Sequence, residues 1–236
     1  PAGVTSALSL MRETGLLQQM IPEFREMFEY DDTSGAVVKS RSLWQHTLRA
    51  INNATSSNNC LRWAILLHDI GKPFGGDDDI HEDVNHGGHE SRGAEIAGRV
   101  AERFRFSRKE KKCLSFLVLN HMRPLQYSSE WSDRAVRKLQ RESGDFLPLL
   151  IELARADRAS YSRSGSLDGT DRLDQLEERL MRLAPAQNSR VLPKELGIRL
   201  MRMVGSDIAS APVVGVILGN LKELVMNGEL PEMADP

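Results

Sequence analysis

The sequence predicts an all-α fold. Apolar residues recur at helical spacing in one segment after another, Gly or Pro closes several of these segments, and no stretch alternates strongly enough with the two-residue period of a strand to propose a sheet. There is no internal repeat. At 236 residues the chain allows one large domain or two small ones and can bury a substantial core. A composition of 40% hydrophobic and 27% charged residues is that of an ordinary soluble globular protein. The net charge of −2 supplies no global basic field for nucleic acid, which leaves only local patches for that purpose. Cys60 and Cys113 lie on separate apolar segments and form no CxxC, so buried thiols in a reducing cytoplasm are expected rather than a disulfide. No stretch approaches the roughly 20 apolar residues of a membrane span, and no signal pattern opens the chain, so no membrane partner is expected. The chain starts at Pro1 without an initiator Met, which suggests an excised or processed piece of a longer protein.

Taken in order, residues 4 to 28 read as one or two amphipathic helices, with Val4, Leu8, Met11 and Leu16 on a shared face and Pro22 at the first position of the following turn. Residues 30 to 40 are turn-forming. A helix resumes at Ser42, a polar break runs from Asn52 to Asn59, and a second apolar helix carries Ala64, Ile65, Leu66 and Leu67 up to Gly71 and Pro73. Gly75 to Gly88 is too rich in Gly and Asp to bury apolar surface; Asp77, Asp78, Asp79, His81 and His86 form either a solvated loop or a lid with an occasional ligand in His86. Helices follow over 90 to 103, from an N-cap at Ser107 to His121, over 132 to 142 and from about Phe146 to Ser162. The basic run of Arg108, Lys109, Lys111 and Lys112 is a solvated face or a phosphate contact. Ser162 to Thr170 is the best internal boundary, after which come a charged helix at 171 to 183 and two final helices, the last one apolar from Val213 to Val225. That last helix could serve a partner chain as easily as the core, and it leaves the oligomeric state open.

The chemistry concentrates at the ends of the apolar segments. His68 and Asp69 close the helix before Gly71, where burial delivers an imidazole and a carboxylate to the edge of the core. Both are lone-pair donors to a divalent cation near neutral pH. His46 lies on a helix whose apolar face is marked by Leu43, Leu48 and Ile51. His89 opens a helix, His121 ends one, and Asp157 stands near the end of another. Each alone is an ordinary polar residue on a helix surface. As a series they are hard to explain without a metal.

The order His46, His68-Asp69, His89, His121, Asp157 resembles the HD superfamily of metal-dependent phosphohydrolases over about residues 40 to 160. Ser9 to Leu17 followed by Ile21-Pro22-Glu23 resembles the segment before the HD region in bacterial tRNA nucleotidyltransferases and poly(A) polymerases. Ala211 to Gly215 with Asn227-Gly228-Glu229-Leu230 resembles their tail, with Ala211 where that tail usually carries Gly. The nucleotidyltransferase head, with its Gly-Ser motif and paired aspartates, finds no match. Gly165-Ser166 runs into Leu167-Asp168 with no strand before it, so the chain is not expected to add nucleotides by itself.

The resemblance implies an all-helical HD bundle with flanking helices: neck helices over 1 to 40, the metal-binding domain over 41 to 162, and a helical tail over 163 to 236. It implies one or two divalent metals. With two, Asp69 bridges, His46, His68 and Asp157 complete one, and His89 and His121 the other; with one, His46, His68, Asp69 and Asp157 suffice. Such a set favours manganese, iron, cobalt, nickel or zinc over magnesium. The implied reaction is hydrolysis of a phosphomonoester or a 2′,3′-cyclic phosphate on a nucleotide or RNA end, with Lys72 and Arg123 as candidate phosphate contacts beside Asp69. The alternative is a tRNA-binding body with an idle metal site.

Overall fold

The computed structural model describes residues 2–33, 42–74, 88–161, 170–183, 192, 195–204 and 211–226. Among these residues every regular element is helical and there is no strand, so the chain is all-α. No helix among them is long and apolar enough to cross a membrane. The loop with Asp77, Asp78, Asp79, His81 and His86, the Ser162 to Asp168 break and the Asn227 to Leu230 motif lie outside the described residues, as do the expected domain boundaries at 40/41 and 162/163.

Two compact units are present, Pro1–Ser128 with Ser143–Leu176, and Ser129–Glu142 with Glu177–Pro236. The first begins with three short helices, α1 (Ala2–Glu13), α2 (Leu16–Met20) and α3 (Phe24–Thr33), where the sequence predicts one or two. The extra break has a local cause. Gly15 takes a left-handed φ of 73° and ends α1, and the extended Ile21 ahead of Pro22 ends α2. This neck is anchored by aromatic packing: Phe24, Phe28 and Trp44 meet with ring centroids 5.3 to 5.8 Å apart, and the Arg12 guanidinium lies 4.2 Å above the Phe28 ring.

Trp44 belongs to α4 (Leu43–Asn53), whose start is fixed by the Ser42 hydroxyl accepting from the Gln45 amide at 3.2 Å. A cap of this kind stabilises a helix by about 1 kcal/mol. α5 (Asn59–Leu67) is capped in the same way by Asn58, and it buries Leu61, Ala64, Ile65 and Leu67. α6 (His89–Arg103) and α7 (Arg108–Asn120) pack along one another, with α7 started by a full capping box between Ser107 and Glu110. A short helix, α8 (Met122–Leu125), follows α7 directly, and the 3-10 turn Gly144–Phe146 leads into α10 (Leu147–Tyr161). α10 packs on α4, and α5 packs on α7. These two pairings, with the start of α6, bring the polar helix ends of the unit to one place.

In the second unit, α9 (Asp133–Ser143) buries Val136 and Leu139, and α11 (Thr170–Leu183) contributes Leu180 and Leu183. Arg179 reaches Asp133 at 2.7 Å, and Arg137 donates to the Leu183 carbonyl at 3.3 Å. α12 (Leu196–Val204) packs on α13 (Ala211–Met226), where a Cβ on Gly197 would lie 3.2 Å from Leu218.

One close approach positions the site. After His68 and Asp69 the chain turns at Gly71 directly against the first turn of α6; a Cβ on Gly71 would collide with the His89 carbonyl and lie 2.6 Å from the Gly93 amide nitrogen. Both neighbours are backbone and cannot step aside. Gly71→Ala is expected to destabilise the fold by about 1–3 kcal/mol through this overpacking, read as a fall in Tm of roughly 5–10 °C by circular dichroism. An unchanged Tm would mean that the turn is not pressed against α6.

Candidate metal centre

Six side chains expected from the sequence to act together do converge, and they fall into two trios: His46, His68 and Asp157, and Asp69, His89 and His121. α4 brings His46 and α10 brings Asp157, while His68 and His121 cap the C-terminal ends of α5 and α7 with their ring centroids 5.4 Å apart. His89 enters from the first residue of α6. All except His89 are buried, and His89 is nearly so.

Within the first trio, His46 Nε2 lies 3.0 Å from His68 Nε2 and 2.9 Å from Asp157 Oδ1, with His68 Nε2 3.6 Å from the same oxygen. Asp69 joins the trios. Its Oδ2 is 3.5 Å from the Nε2 atoms of both His46 and His68, and its Oδ1 is 4.0 Å from His89 Nε2 and 3.7 Å from His121 Nε2. Lys72, three residues on, holds Asp69 Oδ2 at 2.7 Å. Arg123 stands two residues past His121 on α8 and donates to Asn120 Oδ1 at 3.1 Å, so it is tied to the end of α7 and belongs to neither trio.

The outer nitrogens decide which way the rings present their lone pairs. His68 Nδ1 lies 2.8 Å from the Ile65 carbonyl, and His121 Nδ1 2.7 Å from the Val118 carbonyl. A carbonyl only accepts, so in both rings the Nδ1 carries the hydrogen and the neutral ring turns a bare Nε2 inward. His46 reaches the same state through Ser160. That hydroxyl donates to the Asp157 carbonyl at 2.6 Å and so accepts from His46 Nδ1, also at 2.6 Å.

The inward nitrogens of three imidazoles and two carboxylates thus converge on one buried place. Asp157 Oδ1 and His121 Nε2 are buried there without a hydrogen bond, which folded proteins rarely allow. A cation accepts such a set of donors where another hydrogen-bonding group could not. The residues present therefore fit a divalent metal, and their chemistry is that of a nitrogen-rich transition-metal site.

The electrostatics agree in direction. Burial alone works against a charged His68, but Asp69 beside it and the charge of Asp157 outweigh burial and lift it to about 9. Burial also opposes the charge on both carboxylates, yet the neighbouring imidazoles, with Lys72 at Asp69, hold Asp69 and Asp157 well below the usual carboxylate range. Burial, reinforced by His68, lowers His121 to about 4. A proton and a metal ion compete for the same Nε2 lone pair on His68.

The HD-domain family model matches residues 43–162, the segment that carries all six residues. The chain belongs to the HD-domain family. HD domains bind divalent metals and form a superfamily of metal-dependent phosphohydrolases, and this HD domain has two His/Asp trios that could hold metal. Among similar curated proteins, the A-adding tRNA nucleotidyltransferase of Deinococcus radiodurans is 30% identical over 223 residues, covering 92% of this chain and 49% of that protein. The multifunctional CCA protein of Halorhodospira halophila is 29% identical over 144 residues, 60% of this chain and 31% of that protein, and that of Azoarcus sp. is 30% identical over 100 residues, 42% and 23%. The chain thus spans about half the length of the first of these relatives and less of the other two.

Sequence reasoning passed over Ser160 and the Gly71/Gly93 contact. Ser160 was within reach, since it follows Asp157 by three residues and shares its helix face. Tyr161, half exposed, is a third such residue, with its ring 4.5 Å from that of His46. Ser160→Ala removes the group that orients His46 without touching a candidate ligand. It is expected to weaken binding of Mn²⁺ or Co²⁺ by about 10–100-fold with Tm little changed, as measured by calorimetric titration.

Proposed function

We propose that this HD domain is a metal-dependent phosphohydrolase that cleaves a phosphomonoester or a 2′,3′-cyclic phosphodiester on a nucleotide or RNA end. The observation that carries this reading is the carboxylate of Asp69, with one oxygen toward His46 and His68 and the other toward His89 and His121. A carboxylate so flanked suits a bridge between two ions, His46, His68 and Asp157 completing one and His89 and His121 the other. For a single ion, His46, His68, Asp69 and Asp157 suffice. The nitrogen-rich set favours manganese, iron, cobalt, nickel or zinc over magnesium. Bound metal of this kind supplies an activated water near neutral pH and screens the charge that develops on phosphorus.

The chain's own residues do the rest. Ser160 and the Ile65 and Val118 carbonyls hold the three imidazoles in the tautomer that leaves Nε2 basic. Lys72 is a half-buried cation at the Asp69 carboxylate and is assigned a phosphate oxygen of the substrate. Arg123, on the turn after His121, is assigned a second phosphate contact, because a guanidinium can pair with two phosphate oxygens at once. Burial of His46, His68, Asp69, His121 and Asp157 keeps bulk water from their inward atoms.

A second reading is favoured by the names of the relatives, which are a tRNA nucleotidyltransferase and CCA proteins. In it, residues 1 to 40 act as a neck, 163 to 236 as a tail, and the chain grips tRNA around an idle metal site. Both readings put the protein in the cytoplasm, in keeping with its two free thiols.

Elemental analysis of the purified chain, paired with assays on 2′,3′-cyclic AMP and p-nitrophenyl phosphate, separates these readings. Metal at one or two equivalents, with turnover that chelators abolish and Asp69→Ala lowers by at least about a hundredfold, is the expected result. Metal without turnover supports tRNA docking instead. Absence of metal, with Asp69→Ala indistinguishable from wild type, overturns the metal-site assignment.

A further inference from the structure

The only two cysteines of the chain lie in α5 and α7, the two helices that end in His68 and His121. Each cysteine stands eight residues before its histidine, so the two helices run parallel and in register, with the imidazoles meeting at one end and the thiols at the other. Eight residues of helix place the thiols about 12 Å from the metal-site end. Cys60 is in the first turn of α5 and only partly buried; its Sγ points across to α7, 3.9 Å from the Glu110 carbonyl, one turn before Cys113. Cys113 is buried beneath it.

We infer that Cys60 and Cys113 form a reversible dithiol–disulfide pair, a modification site whose oxidant is a small hydroperoxide able to reach the start of α5. A further observation supports this: each thiol is the largest influence on the other, Cys113 raising Cys60, as burial also does, and Cys60 lowering Cys113, as the nearby Lys109 also does, against burial. With Cys113 lowered and Cys60 raised, Cys113 is the nucleophile of the pair and Cys60 its resolving partner.

The chemistry balances with hydrogen peroxide alone. The Cys113 thiolate attacks one peroxide oxygen, the O–O bond breaks, and hydroxide leaves to become water with the proton Cys113 gave up. Cys60 sulfur then displaces the hydroxyl from the resulting Cys113 sulfenic acid, and that hydroxyl departs as a second water with the Cys60 proton. Two electrons pass from the thiols to the peroxide. The new bond closes a loop that contains His68, Asp69 and His89 and staples the helix pair at the end opposite its histidines.

The test uses the whole chain, reduced and then treated with a small excess of hydrogen peroxide. Expected are loss of both titratable thiols, a Cys60–Cys113 linked peptide on mass mapping, a rise in Tm of roughly 5 °C or more, and full reversal by dithiothreitol. Cys60→Ser, at the less buried position, keeps the fold and abolishes the linked peptide and the Tm rise, whether or not Cys113→Ser can fold. Persistence of both thiols, cross-linking only between chains, or conversion only to sulfinic acid would overturn the proposal. None of these readouts depends on phosphohydrolase activity or on metal.

Discussion

The structure turns on five buried polar side chains, three imidazoles and two carboxylates, that face one another with too few hydrogens among them. His46, His68 and His121 have spent their Nδ1 hydrogens on Ser160 and two carbonyls, and Asp69 and Asp157 are held ionised among them. Taking such groups out of water costs several kcal/mol each unless charge of the opposite sign compensates. Part of that compensation is in the chain, as Lys72 on Asp69 and a proton on His68. The remainder fits a cation, which is why the donor set reads as a site and not as a cluster of structural polar residues.

The helices are arranged to bring their ends together. α4 packs against α10 and α5 against α7, and these helices bury Trp44, Ile51, Leu150, Leu61, Leu114 and Leu117. The polar residues sit where each apolar stripe stops, so the core's own packing sets their spacing. No loop has to be ordered to form the first trio, because His46, His68 and Asp157 all come from helices or their caps.

Much of this was legible in the sequence. The helix ends at His68 and His121, the helix start at His89, the helix resuming at Ser42 and the cap at Ser107 follow from local rules of pattern and capping, and each lies where it was expected. The break at Pro22 was expected, whereas the one at Gly15 was not, since its cause is a left-handed glycine whose helical alternative looks equally good in sequence. Ser160 was passed over although its spacing from Asp157 puts it on the same helix face; its role needs the partner 114 residues away, His46. Gly71 was seen only as a helix stop; that it must be glycine depends on α6 crossing there, a tertiary fact.

That crossing has a consequence for how the site can change over time. Elsewhere around the trios, side chains mediate the packing and can trade volume with one another as the sequence drifts. Between Gly71 and Gly93 there is no such exchange, because backbone meets backbone. Asp69 and His89 are thereby fastened to one another through main chain and not through side chains.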